Sequence, residues 1–185
     1  MKDKKLHRVF ICIDFPEEAI KEIARVLEIL GKWKFDGKMT QLENLHLTLK
    51  FLGEIDEEKI EKVKKRLSKI KVEKFEAKFD SIGSFNRRGN PSIVWIRIDG
   101  KEIFELQKKI DESLGELFKL EERFMSHITI ARVKYVKDKV GFSRHIKGIG
   151  VKEIRFWVNG FKLKTSELGE MGPVYTIIEK YYDNE

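Results

Sequence analysis

The chain has 185 residues, of which 41% are hydrophobic and 37% charged, with a net charge of +7 and a single cysteine. That length suits one domain or two small lobes sharing a core, and that apolar fraction excludes a disordered chain. One cysteine excludes an internal disulfide, and no run of 18 apolar residues marks a membrane-spanning helix.

Residues 8–14 read as a buried strand, Val9-Phe10-Ile11-Cys12-Ile13, in which Cys12 is a buried inert thiol. Pro16 then opens a helix whose apolar stripe is Ile20, Ile23, Val26, Leu27 and Leu30, with Gly31 as its end. A second strand covers about 44–51. Asp56 is placed to cap a helix that carries Glu57 and Glu58 in its first turn and Ile60, Val63, Leu67 and Ile70 along one face. Alternation of Phe75, Ala77 and Phe79 with charges predicts a half-buried strand from Lys74 to Ser84. The cluster Asn86-Arg87-Arg88-Gly89-Asn90-Pro91 turns it into a hairpin with a strand over 92–98. Ile103, Leu106, Ile110, Leu114 and Leu117 mark a third helix. A strand follows near 127–134, a short helix over 137–145, and strands at about 151–163 and 174–181. This order predicts an α+β fold with helices outside antiparallel sheets, as a single domain over 1–185.

Two segments echo each other: His46-Leu47-Thr48-Leu49 and His127-Ile128-Thr129-Ile130. Two such hits among four His and five Thr would arise by composition with a chance on the order of 0.4%. In a strand alternate residues share a face, so each motif presents an imidazole and a hydroxyl together and anchors itself through the intervening aliphatics. Two such strands meeting across a cleft would gather two His and two Thr around a phosphate. Thr hydroxyls donate to its oxygens. Histidine exchanges protons near neutral pH, so two of them supply a base for an incoming water and an acid for a departing oxygen. Neither motif carries an acidic residue or second His at metal-ligand spacing, so no metal and no cofactor is expected.

The paired motifs, with Arg8-Val9-Phe10-Ile11-Cys12-Ile13, Lys50-Phe51-Leu52-Gly53-Glu54, Ala131-Arg132 and the later Ser166, Leu168 and Gly-Pro-x-Tyr175, resemble the 2H phosphoesterase superfamily. Within it the chain is most similar to the RNA 2′,3′-cyclic phosphodiesterases, also called 2′-5′ RNA ligases. The resemblance implies a bilobal fold with a pseudo-twofold axis and a central cleft. It implies that His46 is the general acid, that His127 is the general base, and that Thr48 and Thr129 hold the phosphate. It implies hydrolysis of RNA 2′,3′-cyclic ends, such as those of tRNA halves, to 2′-phosphates, with a reversible 2′-5′ ligation in which a ribose hydroxyl replaces water. Alternatives are a phosphodiesterase for other 2′-linked nucleotides and a non-catalytic RNA-end-binding module.

Further candidates surround the motifs. Lys50 shares parity with His46 and Thr48 and is expected near the cleft. Arg132 has the wrong parity for His127 and would join the site only through a bulge; there it would clamp phosphate. Phe10, Phe51 and Tyr175 are candidates to stack on a base, and Arg87 and Arg88 to touch RNA phosphates. His7 and His145 read as surface residues. The basic charge is compatible with RNA and does not establish it. Abundant Lys and Glu beside only Gln41 and Gln107 match heat-stable proteins. The lysine-rich start is unlike a signal peptide, and a cytoplasmic monomer is expected.

Overall fold

The computed structural model describes residues 5–170 and 172–182, so the start read above as unlike a signal peptide lies largely outside the described residues. Within them lie nine strands: β1 (His7–Ile13), β2 (Asp36–Met39), β3 (Leu47–Ile55), β4 (Phe75–Arg87), β5 (Asn90–Asp99), β6 (His127–Tyr135), β7 (Arg155–Val158), β8 (Gly160–Gly169) and β9 (Gly172–Tyr182). Four helices accompany them: α1 (Glu17–Leu30), α2 (Glu57–Leu67), α3 (Lys101–Ser113) and α4 (Lys139–Gly148). The α+β class is as expected, and none of the described helices is long and apolar enough to cross a membrane.

The strands form one antiparallel sheet ordered β7-β4-β5-β6-β3-β1-β8-β9, with β2 also on β6. Two halves, β3-β1-β8-β9 and β6-β5-β4-β7, each begin with a histidine-motif strand. They join at the single pair Leu47↔Ile128, the two residues that follow the histidines. Beyond that pair β6 gives the same edge to β2, from Ala131 to Tyr135, so β3 and β6 part company and a cleft opens between the halves. One face of the sheet is packed under the helices. Val9, Ile11, Ile13, Leu47, Leu49, Ile128 and Ile130 meet Ile23, Val26, Leu30, Val63, Ile103 and Ile110 there, all buried. The opposite face lines the cleft.

Asp56 caps α2 by accepting from the Lys59 amide at 2.9 Å, and Asp138 caps α4 likewise through Gly141. Arg88 (φ 51°) and Gly89 (φ 74°) make the two-residue turn of the β4–β5 hairpin, the left-handed pair that matches strand twist.

Several expectations are corrected. The strand expected at 44–51 starts at Leu47 and runs to Ile55, because Leu42–Asn44 forms a 3-10 turn. The segment 151–163 is split into β7 and the start of β8. Gly31 does end α1, as expected, in the right-handed region (φ −67°). Ile70 and Leu117 pack on the core from beyond their helices. His7 starts β1 beside Glu57, and His145 lies half-buried on α4, held to the Ile29 carbonyl at 3.1 Å and against the Trp33 ring.

Candidate active site

The cleft is a cavity of about 700 Å³ lined at its centre by His46, Thr48, His127 and Thr129. Carrying the Leu47↔Ile128 register one residue each way sets His46 across from Thr129 and Thr48 across from His127. Each imidazole thus faces the other strand's hydroxyl.

Both rings are held in the same way. The Nδ1 of His46 lies 2.8 Å from the Asn44 carbonyl, and that of His127 lies 2.8 Å from the Met125 carbonyl. A carbonyl only accepts, so each Nδ1 carries a proton and each Nε2 is the nitrogen left to exchange a proton in the cleft. The anchors are themselves fixed. The buried Asn44 side chain donates to the Pro173 carbonyl at 2.8 Å, tying the 3-10 turn to β9. The carbonyl of Ser126, between anchor and ring, accepts from Ile98 at 3.1 Å. Aromatic edges complete the seating. Phe10 and Tyr175 pack on His46 with centroids at 4.9 and 5.2 Å, and Phe85 meets His127 edge-on at 5.2 Å.

Bulges decide what else reaches the cleft. Cys12 pairs with Thr48 and Ile11 with Lys50, so Leu49 is an extra residue in β3. Trp95 pairs with Thr129 and Val94 with Ala131, so Ile130 is an extra residue in β6. Each motif therefore ends on its bulge, and parity reverses after it. Arg132 consequently turns into the cleft, the condition its parity demanded. The bulged backbone of β6 is capped by Thr40, whose amide donates to the Ile130 carbonyl and whose hydroxyl donates to the Thr129 carbonyl, both at 2.9 Å.

The same reversal removes Lys50, and this corrects the expectation. Lys50 is only 5% exposed, faces the core, and places its ammonium on Asp111 and on the Lys119 carbonyl. Strand parity failed because the bulge at Leu49 lies between Thr48 and Lys50. Phe10 also lines the cleft, but it is only 2% exposed and wedged between His46 and Tyr175, so its main contact braces the histidine. Phe51, 52% exposed, lines the cleft with the Arg8 guanidinium 5.0 Å from its ring centre. Tyr175, Ser166 and Leu168 line the cleft as well. Arg87 and Arg88 stand at the hairpin end, outside the cavity.

Sequence reading missed Arg8, Lys38, Thr40 and Asn44. Arg8 shares strand parity with Phe10 and was within reach of the alternation argument. Thr40 and Asn44 act through a loop whose position only the folded chain defines, and the Met125 anchor is a backbone atom with no side-chain signal.

Near His46 lies a half-buried ionic cluster. Asp14 accepts from Lys162 and from Lys164, each at 2.6 Å. Burial would raise the Asp14 carboxyl, but those two ammonium groups outweigh it and hold it below its usual range. Burial also lowers the His46 imidazole, and the Lys164 and Arg132 cations add to that against the Asn44 carbonyl and Asp14. Among the described residues no group of three or more His, Cys, Asp or Glu is arranged to hold a metal ion.

Comparison with known proteins matches residues 13–95 and 98–175 to the family described as LigT like Phosphoesterase. A Thermotoga maritima protein named RNA 2′,3′-cyclic phosphodiesterase is 36% identical over 177 residues, covering 92% of each chain. A Methanocaldococcus jannaschii protein of the same name is also 36% identical over 177 residues, covering 94% of this chain and 99% of its own. Among solved structures, a Thermus thermophilus protein superposes with a TM-score of 0.80 at 26% identity, over 95% of this chain and 97% of that one. E. coli LigT complexed with 3′-AMP shares the fold, with a TM-score of 0.75 at 22% identity over 98% of this chain and 100% of that one.

Proposed function

The chain belongs to the LigT-like phosphoesterase family, and on that premise we propose that it is an RNA 2′,3′-cyclic phosphodiesterase working by two-histidine acid–base catalysis. The name carried by relatives 36% identical over nearly the whole chain supports the activity. The observation that carries the mechanism is the pair of Nδ1-anchored imidazoles that line one cleft together with Thr48 and Thr129.

In the proposed reaction the cyclic phosphate lies between His46 and His127, its oxygens taking hydrogen bonds from Thr48 and Thr129 and charge from Arg132. His127 Nε2 removes a proton from water, and the new oxygen bonds to phosphorus. The bond from phosphorus to the ribose O3′ breaks on the far side, and O3′ takes a proton from His46 Nε2. The product is a 2′-phosphate beside a free 3′-hydroxyl. His46 starts deprotonated in the empty cleft, because burial disfavours its cation. The anionic substrate reverses that balance and supplies the charge that lets His46 hold a proton. The 5′-hydroxyl of a second RNA in place of water opens the ring in the same direction, O3′ again leaving with a proton from His46, and forms a 2′-5′ phosphodiester; for this ligation tRNA halves with cyclic ends are suitable substrates.

The test is product mapping on an RNA oligomer ending in a 2′,3′-cyclic phosphate, with chelator present. A 2′-phosphate end is expected. A 3′-phosphate, or activity that chelator abolishes, would overturn this reading.

A further inference from the structure

We propose that the RNA strand leading to the terminal nucleotide leaves the cleft over its Arg132 end, on a strip formed by Lys38, Arg87, Arg132, Lys134 and Tyr135. This rests on the cyclic-end reading only in placing the reacting phosphate between the histidines.

The direction follows from topology. β3 and β6 are antiparallel, so they run away from the Leu47↔Ile128 pair in opposite senses. β3 carries the cleft toward Glu54, which pairs with Arg8, and Glu167 lines the cavity as well. β6 carries it the other way, toward Arg132 and Lys134. The cavity is thus polarised, with Glu54 and Glu167 beside Arg8 at one end and cations alone at the other.

Three strands contribute to the cationic end. Lys38 of β2 lies directly across from Arg132, and cross-strand partners share a face. On β6, Val133 is buried while Lys134 and Tyr135 are both exposed, the latter by 62%, at a second bulge where β2 skips from Val133 to Tyr135. On β4, Arg87 lies two residues past Phe85 and so shares the face from which Phe85 touches His127. Phe85 pairs with Ile93, and Ile93 with Arg132. Arg87 therefore lies two strands over and about 6.6 Å further along, a few phosphates away from Arg132.

Among the described residues no carboxylate forms an ion pair with Lys38, Arg87, Arg132 or Lys134, though Asp36 lies across from Tyr135. Four cations on one face, unpaired among the described residues, repel one another, and a polyanion relieves that repulsion by releasing its own counterions. An exposed tyrosine among them gives a base a ring to stack on. Single-stranded RNA has both features, a charged backbone and bases free to stack. The strip therefore receives the body of the substrate, while the reacting end occupies the histidine centre.

The test compares wild type with the double variant Arg87→Glu/Lys134→Glu, and separately with Tyr135→Ala. Three measurements are made: kcat/KM on an eight-nucleotide RNA with a cyclic end, kcat/KM on a nucleoside 2′,3′-cyclic monophosphate, and affinity for a plain-ended eight-nucleotide RNA by fluorescence anisotropy. The double variant is expected to lose about tenfold or more on both oligomers, and to flatten the salt dependence by about 1.4 in log–log slope. It should stay within about twofold on the mononucleotide, where charge outside the centre is not used. Tyr135→Ala is expected to weaken oligomer affinity without changing the salt slope. Unchanged oligomer affinity in the double variant, or an equal loss on the mononucleotide, overturns the strip. If wild type opens neither cyclic substrate, the proposed function fails, and the strip is judged on oligomer affinity alone.

Discussion

Phe51 and Arg132 occupy equivalent positions in the two halves of the sheet, each five residues after its histidine and two after its bulge. Backbone geometry that the two motifs share thus delivers an aromatic ring to one side of the cleft and a guanidinium to the other. An Arg–phosphate contact is a charge-assisted hydrogen bond worth about 1.5–3 kcal/mol. Arg132→Ala is therefore expected to lower kcat/KM on a cyclic mononucleotide by about 10- to 100-fold, with partial recovery in Arg132→Lys. Near wild-type kinetics for Arg132→Ala would remove it from the phosphate site.

Lys50 and Asp111 form a buried pair that joins β3 to α3. The second Asp111 oxygen accepts from the Glu121 amide at 2.7 Å, fixing the loop that leads to His127. Removing one partner of a buried pair leaves the other charge stranded, at a cost of about 3–5 kcal/mol. Lys50→Met is expected to lower stability by that order in urea unfolding, and Asp111→Leu added to it should restore part of the loss. Folded Lys50→Met is expected to keep turnover within a few-fold. A hundredfold loss in protein that remains folded would return Lys50 to the cleft.

These two residues also show how far the sequence could be read. The doubled His-x-Thr motif, the helix stripes and the Asp56 cap were legible because they are local patterns. The reversal that excludes Lys50 and admits Arg132 was not, since a bulge is fixed by the register with a neighbouring strand. β2 and the 3-10 turn carry no strong periodicity, and they exist because Thr40 and Asn44 find partners on β6 and β9. Phe10 illustrates the converse: strand burial was read correctly, but its contact with His46 depends on which half-sheet face is the cleft.

The depressed His46 pKa has a sign that titration can check. Burial is the largest cause, with Lys164 and Arg132 adding to it. In phosphate-free buffer the His46 ring is expected to titrate below 6.5 by NMR, and inorganic phosphate should move the midpoint upward. Between that midpoint and 6.5 the unfolded chain holds more of the proton, so this group's contribution to stability falls as pH drops through the interval. Lys164→Met should raise the midpoint by removing a cation. A free-protein midpoint at or above 6.5 would show that burial does not govern the ring.

Cys12 lies under the same face, and burial pushes its thiol up to about 12. A thiol held protonated does not alkylate. Native protein is expected to resist iodoacetamide at pH 8 over hours, and denatured protein to react within minutes. Rapid native labelling would indicate that the cleft face around Cys12 opens.

The two anchored imidazoles are the centre of the proposed mechanism, and single-turnover opening of a 2′,3′-cyclic RNA end, in chelator, tests them directly. Wild type, His46→Ala and His127→Ala are compared after thermal melts confirm that all three are folded. Loss of a general acid or base costs about 10²- to 10⁴-fold, so each variant is expected to fall by at least a hundredfold. Either variant retaining turnover within tenfold of wild type would contradict a reaction carried by both histidines.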